Sequence, residues 1–157
     1  MKLELNDVDL SRHSCLRRLG LTHEYMPAYH FPCSEFISLC EQLLQSSRPN
    51  HSLETLRIQF LLEYDLAPLR KIDGSLWKAL DNVISHSHYT SIRCVQIVIY
   101  HHRNTLDPAF LEVEQSIIKE AQSIVMPNFP SLSVSETVQF ELKVLDMSEY
   151  DPRFSDE

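Results

Sequence analysis

Apolar and polar positions alternate most persistently from Tyr89 to Tyr100, with Val95, Ile97 and Ile99 on one side of an extended chain and Cys94, Gln96 and Val98 on the other. Both sides are largely apolar, which predicts an inner strand covered by other elements. Its core phrase is an apolar residue followed by others at +3 and +5. The phrase recurs at Leu16-Leu19-Leu21, Leu53-Leu56-Ile58, Ile92-Val95-Ile97 and Phe129-Leu132-Val134, with starts 37, 39 and 37 residues apart.

Each interval carries a segment of helical period. Ser34 is an N-cap candidate for a helix to about Gln45, with Phe36, Ile37, Cys40, Leu43 and Leu44 on one stripe. A second helix spans about Ser75 to Ser85 and buries Leu76, Trp77, Leu80, Val83 and Ile84. The third runs from about Pro108 to Val125, with Phe110, Val113, Ile117, Ala121 and Ile124 on one face, and Pro127 and Pro130 end it. Asp107 precedes it as N-cap, and a first-turn proline lacks only an N–H that has no partner there. Strand, crossover helix, strand is the recipe for parallel neighbours. Leu3-Glu4-Leu5 is a further short strand candidate, and the strict alternation from Thr137 to Val144 predicts a half-exposed closing strand. An open α/β sandwich without repeats accommodates the same elements but not their even spacing.

The expected fold is therefore α/β: an irregular leucine-rich-repeat-like arch of parallel strands with helices on one face. It occupies residues 1–147 as one domain, and the acidic segment 148–157 is a frayed tail. Leu-x-x-Leu-x-Leu followed by a helix is the leucine-rich-repeat phrase. The intervals exceed the usual repeat length, and the position three residues after each phrase holds Glu24, Leu61, Tyr100 or Thr137 instead of an asparagine. An asparagine ladder is thus absent from the expected arch.

The formal net charge of −8 argues against a general nucleic-acid binder, which needs a basic face. No apolar run is long enough for a membrane span, and the start shows no export signal, so a cytoplasmic or nuclear protein is expected. Cys15, Cys33, Cys40 and Cys94 are widely separated, which suggests neither a zinc knuckle nor a redox pair. Two glycines, Gly20 and Gly74, are too few for a glycine-rich phosphate loop. No cofactor is expected.

Leu16-Arg-Arg-Leu-Gly-Leu21, Ser52-Leu-Glu-Thr-Leu-Arg-Ile58, Leu76-Trp-Lys-Ala-Leu-Asp81 before Ser91-Ile-Arg-Cys-Val-Gln-Ile97, and Met126-Pro-Asn-Phe-Pro-Ser-Leu132 together resemble the C-terminal region of large fungal F-box/leucine-rich-repeat-like proteins. The likeness runs from about Leu3 to Val144. It implies a substrate-recruiting module of an SCF-type ubiquitin ligase, without catalytic residues of its own. An F-box is a helical segment ahead of the repeats, whereas residue 1 here already lies in strand-like sequence. Docking to the ligase adaptor is therefore not carried over, and the chain reads as a fragment or a free-standing recognition domain.

The primary expectation is a non-enzymatic protein-recognition module that presents Arg18, Thr55, Arg57, Gln59, Gln96, Ser131 and Ser133 to an unidentified protein partner. These are the polar residues between the apolar phrase positions. The alternative is a small hydrolase-like or metal-dependent enzyme using His86, His88, His101 and His102, which flank the central strand. No fixed carboxylate or cysteine completes that set, so no metal site is assigned. Cys40 and Cys94 fall on faces expected to be buried, and nothing points to activation of Cys15 or Cys33. Trp77, Leu80 and Ile84 could form a partner-binding ridge, but such a stripe is more often core.

Overall fold

The computed structural model describes residues 15–25, 31–46, 52–62, 65–86, 89–102 and 108–151. The strand expected at Leu3–Leu5 lies outside them. In chain order the elements are strand β1 (Arg18–Glu24), helix α1 (Cys33–Ser46), strand β2 (Thr55–Leu62), helices α2 (Ala67–Arg70) and α3 (Gly74–His86), strand β3 (Cys94–His101), helices α4 (Phe110–Val125) and α5 (Pro130–Ser133), and strand β4 (Gln139–Asp146). Turns of 3-10 helix follow α4 (Met126–Asn128) and β4 (Met147–Glu149). The strands form a single parallel sheet in the order β1-β2-β3-β4, so the α/β class and the parallel sheet agree with the sequence reading.

The repeat is visible in the backbone where the chain enters each strand. The amides of Glu54 and Thr55 both donate to the Arg17 carbonyl, those of Arg93 and Cys94 both donate to the Glu54 carbonyl, and Gln139 N–H donates to the Arg93 carbonyl. Arg17, Glu54 and Arg93 therefore occupy one repeating position. Ser91 Oγ adds a bond of 2.8 Å back to the Leu53 carbonyl of the preceding turn.

One departure concerns the fourth phrase. Leu19, Leu56 and Val95 are aligned as expected, but their partner in β4 is Phe140 and not Leu132, so the aligned positions 19, 56, 95 and 140 are 37, 39 and 45 apart. Phe129, Leu132 and Val134 belong instead to α5 and its flanks. The prolines explain this. Pro127 and Pro130 each occupy an opening position of a helical turn, where a fixed φ is suitable and a missing N–H leaves no ladder bond unmade. Leu132 and Phe129 are still buried, but from the helical layer. The alternating segment expected to close the sheet is the true fourth strand, shifted slightly to Gln139–Asp146.

The core lies between one face of the sheet and the helices. Leu56, Ile58, Phe60 and Leu62 of β2 and Val95, Ile97 and Ile99 of β3 are all buried there. Phe36, Ile37, Cys40 and Leu44 of α1, Trp77, Leu80 and Ile84 of α3, and Ala121 and Val125 of α4 cover them. Trp77, Leu80 and Ile84 are thus core and not a ridge. The stripe expected on α4 is only partly used: Ala121 is buried and Ile117 and Ile124 are half-buried, whereas Val113 and its neighbour Leu111 are 46% and 72% exposed. A chain of ring contacts runs from β1 through β2 and the helical layer to β4. His23 stacks on Phe36, Phe36 meets Phe60 edge-on, Phe60 meets Trp77, Trp77 meets Phe129, and Phe129 packs on Phe140, with centroids 5.0–5.9 Å apart.

Asp81 is buried in this layer, and its carboxylate accepts the backbone N–H groups of Ser131 (3.0 Å) and Leu132 (3.1 Å). It caps α5 from another helix, supplying acceptors that α5 has no side chain of its own to provide. Replacing it by Ala leaves two amides in the interior without acceptors. We expect Asp81→Ala to cost about 2–4 kcal/mol in urea unfolding, with Asp81→Asn intermediate. A loss below about 0.5 kcal/mol would contradict the capping role.

Candidate functional site

Because strand residues alternate, the register fixes what the opposite face of the sheet carries. From the amino ends of the strands upward, its rows are Arg18, Thr55, Cys94 and Gln139; Gly20, Arg57, Gln96 and Glu141; Thr22, Gln59, Val98 and Lys143; and Glu24, Leu61, Tyr100 and Leu145. No described α-helix packs on this face, since their core-forming residues lie on the other side, and only the 3-10 turn Met147–Glu149 meets its upper edge. The first two rows are polar and the fourth is mainly apolar.

Three side chains, Gln96 from β3 and Gln139 and Lys143 from β4 itself, converge on Glu141. Gln96 Nε2 donates to its Oε2 at 2.8 Å, Lys143 Nζ lies 2.9 Å from the same oxygen, and Gln139 Nε2 donates to its Oε1. The Lys143 bond, with help from Gln96, holds the Glu141 carboxyl below its ordinary pKa. Across the sheet the Arg57 guanidinium donates to Tyr100 Oη at 2.7 Å. Burial pushes the Tyr100 phenol up, and Arg57 opposes it. At the upper edge Leu61, Val98 and Tyr100 form a small buried cluster beneath Leu145, Met147 and Tyr150. Tyr150 meets Tyr100 edge-on at 5.3 Å. The turn that brings it there is closed by a capping box: Asp146 Oδ1 accepts from Ser148 N–H, and Glu149 Oε2 accepts from Asp146 N–H. A domain boundary at residue 147 therefore cuts through an ordered turn, while residues 152–157 of the expected frayed tail lie outside the described ones.

Of the seven residues expected to meet a partner, Arg18, Thr55, Arg57 and Gln96 do lie together on this open face. Gln59 shares the face but is fully buried, donating to Thr22 Oγ1 at 3.0 Å, so it is not presented to a partner. Its Oε1 has no hydrogen-bond partner among the described residues. Ser131 and Ser133 are not on the sheet at all. They sit in α5, for the reason that removed Leu132 from the strand. The residues missed were Gln139, Glu141 and Lys143. Their signal was present in the alternation of Val138, Phe140, Leu142 and Val144, which puts the intervening side chains on the opposite face.

The histidines do not converge. His86 ends α3 and lines a cavity with Ile92 and Arg93 at the amino end of β3, whereas His101 is the last residue of that strand. Eight strand residues separate those ends by about 23 Å. His88 lies outside the described residues, and among the described residues no group of three or more His, Cys, Asp or Glu could hold a metal. Burial raises the thiols of Cys33 and Cys40 to about 12, leaving them protonated and inert near neutrality. Burial, and secondarily Glu141, also raises Cys94. The sequential strand order has no reversal point, the place where open α/β sheets usually form a ligand crevice. No helix among the described residues is long and apolar enough to cross a membrane. No family model, curated protein or solved structure matches the chain.

His23 is the titratable group most at odds with its surroundings. It faces the core from β1, against Phe31, Phe36 and Phe60, and its Nε2 has no partner among the described residues. Burial lowers its pKa from the ordinary 6.5. The unfolded chain therefore takes up a proton near that value while the folded one does not. Its contribution is fully present above pH 6.5 and is lost as the pH falls below it, toward the lowered folded pKa, by at most about 1.4 kcal/mol per pH unit. We expect His23→Phe to flatten this part of the curve of urea-unfolding free energy against pH. Equal slopes for the two proteins between pH 6.5 and 5 would refute it.

The cysteines give a second test. Alkylation of the native protein should modify exposed Cys15 first and Cys94 more slowly, with Cys33 and Cys40 reacting only after denaturation. Early modification of Cys33 or Cys40 in a mass-resolved time course would contradict their placement.

Proposed function

We propose that this chain is a non-enzymatic protein-recognition domain that engages its partner with the open face of the sheet. The observation supporting this is the face itself. A parallel sheet ordinarily has helices over both surfaces, whereas here the described helices all lie on one. Pre-organised side chains from all four strands, Arg18, Thr55, Gln96, Gln139, Glu141 and Lys143 among them, stand on a rigid backbone ladder that fixes their spacing. The polar first rows suit hydrogen-bonded contacts with a protein surface. No metal or cofactor enters this reading.

The resemblance to F-box/leucine-rich-repeat-like proteins adds a finer proposal. The partner is then a substrate held for ubiquitin transfer, in the cytoplasm or nucleus. Net charge of −8 disfavours nucleic acid as the alternative occupant.

Arg57 is a poor probe of the face because its guanidinium is tied to Tyr100. Arg18 and Lys143 are better, since both are exposed at opposite edges of the sheet, although Lys143 is paired with Glu141 on its own strand. Proteins recovered from cell extract with the wild-type chain should be depleted about tenfold by the double variant Arg18→Glu/Lys143→Glu, with unfolding free energy changed by less than about 1.5 kcal/mol. Lys119→Glu, on the outer side of α4, should leave recovery intact. Partners lost with Lys119→Glu and kept with the double variant would overturn the assignment, as would the absence of any partner specific to the wild type.

A further inference from the structure

A cavity of about 580 Å³ opens at the amino ends of β3 and β4, between the end of α3, the segment leading into β3, α5 and the segment 134–138. It shares no residue with the open sheet face. Its size is that of a small-molecule site. The floor is apolar, formed by Ile84, Ile92, Leu132 and Val138. The polar part consists of Arg93, His86 and the hydroxyl residues Ser85, Thr90, Ser131 and Thr137. Among the described residues no Asp or Glu lines it, although acidic residues outnumber basic ones 22 to 14 in the chain.

Two features indicate what such a cavity selects. First, the Arg93 backbone is fixed at the strand entry by bonds to Glu54 and Gln139, while its guanidinium makes no hydrogen bond or ion pair among the described residues. A guanidinium anchored by its own main chain and left unengaged suits a planar or tetrahedral oxyanion. Second, the carboxylate that would compete for cations here is already occupied. Asp81, one turn before Ser85, accepts the amides of Ser131 and Leu132. That bond also holds α5 in place as one wall.

We infer that this cavity binds a small phosphate monoester carrying an apolar body. Arg93 would take the phosphate, hydroxyls would supply further donors, and the Ile84, Ile92, Leu132 and Val138 floor would take the apolar part. This site is independent of the protein-recognition reading, and either can fail without the other.

Phenyl phosphate titrated into the purified chain, followed by calorimetry and by amide shifts in NMR, tests it. Saturable one-to-one binding is expected, with Kd on the order of 0.1–1 mM and shifts concentrated at Tyr89–Arg93 and Ser131–Val138. Arg93→Gln should weaken it about tenfold, and so should Val134→Glu, which places a negative charge at a rim position that is 79% exposed. The exposure of Arg93 and Val134 keeps both variants folded. Inorganic phosphate and phenol should each bind at least about tenfold more weakly than phenyl phosphate. Lys119→Gln, on α4 and away from the cavity, should leave phenyl phosphate binding unchanged. The inference is overturned if phenyl phosphate does not saturate, if binding survives Arg93→Gln and Val134→Glu, if inorganic phosphate or phenol binds as tightly, or if Lys119→Gln abolishes binding.

Discussion

The handedness of parallel crossovers constrains everything else in this molecule. A strand that leaves through a helix and returns parallel beside itself turns right-handed almost without exception. When every step adds the next strand on the same edge, as in the order β1-β2-β3-β4, successive right-handed crossovers must fall on the same side. The described α-helices accumulate on one surface, and on the other the described residues place only the turn after β4, over its upper edge. The open face therefore follows from strand order and chain chirality, before any side chain is considered. What the side chains decide is whether that order is stable. Rows such as Leu19, Leu56, Val95 and Phe140 make it so by meeting the helical layer at the same depth in every turn.

The two faces divide the physical tasks. On the helical side, non-directional burial dominates, supplemented by ring contacts from His23 to Phe140 that link elements distant in sequence. On the open side, directional bonds dominate: Arg57 to Tyr100, and Gln96, Gln139 and Lys143 to Glu141. Gln59 marks where the tasks meet. It lies on the open face yet is fully buried, in the row of the equally buried Val98 and directly below Leu61 on its own strand. The upper half of that face is thus closer to a second small core than to a wet surface. The accessible polar side chains lie lower, around Arg18, Thr55 and Gln96.

Much of the fold was legible because two periods, near two and near 3.6, alternate cleanly along the chain. The three longer helices and the aligned triplet Leu19, Leu56 and Val95 are written in that pattern. The fourth turn was misread because Phe129-Pro130-Ser131-Leu132-Ser133-Val134 satisfies the same apolar spacing while its prolines make it helical. Spacing records where side chains must be buried, not which backbone buries them, and Leu132 is buried in either case. Alternation correctly placed Arg18, Thr55, Arg57 and Gln96 on one face. It could not show that Gln59 is enclosed there, since enclosure depends on neighbours from other strands. Nor could it separate His86 from His101, because nearness in sequence across a strand means the full strand length in space.

The misread stretch is also where the molecule departs from pure repetition. Aligned positions are 37 and 39 residues apart across the first three strands and 45 across the last step. The surplus contributes to the 3-10 turn after α4, to α5 and to segment 134–138, none of which has a counterpart in the earlier described turns. An insertion of this kind cannot join the ladder without shifting its register, so it joins the helical layer ahead of β4, against α3. There it needs acceptors for the α5 amides, and Asp81 supplies them from α3. Propping α5 against α3 while β4 begins further along leaves a space between them, walled by Ile84, Ile92, Leu132 and Val138 and edged by Arg93. A regular arch has identical shallow grooves between its turns. In this chain the one irregular turn creates a concave site of its own, and the buried carboxylate that makes the irregularity tolerable also keeps that site free of competing negative charge.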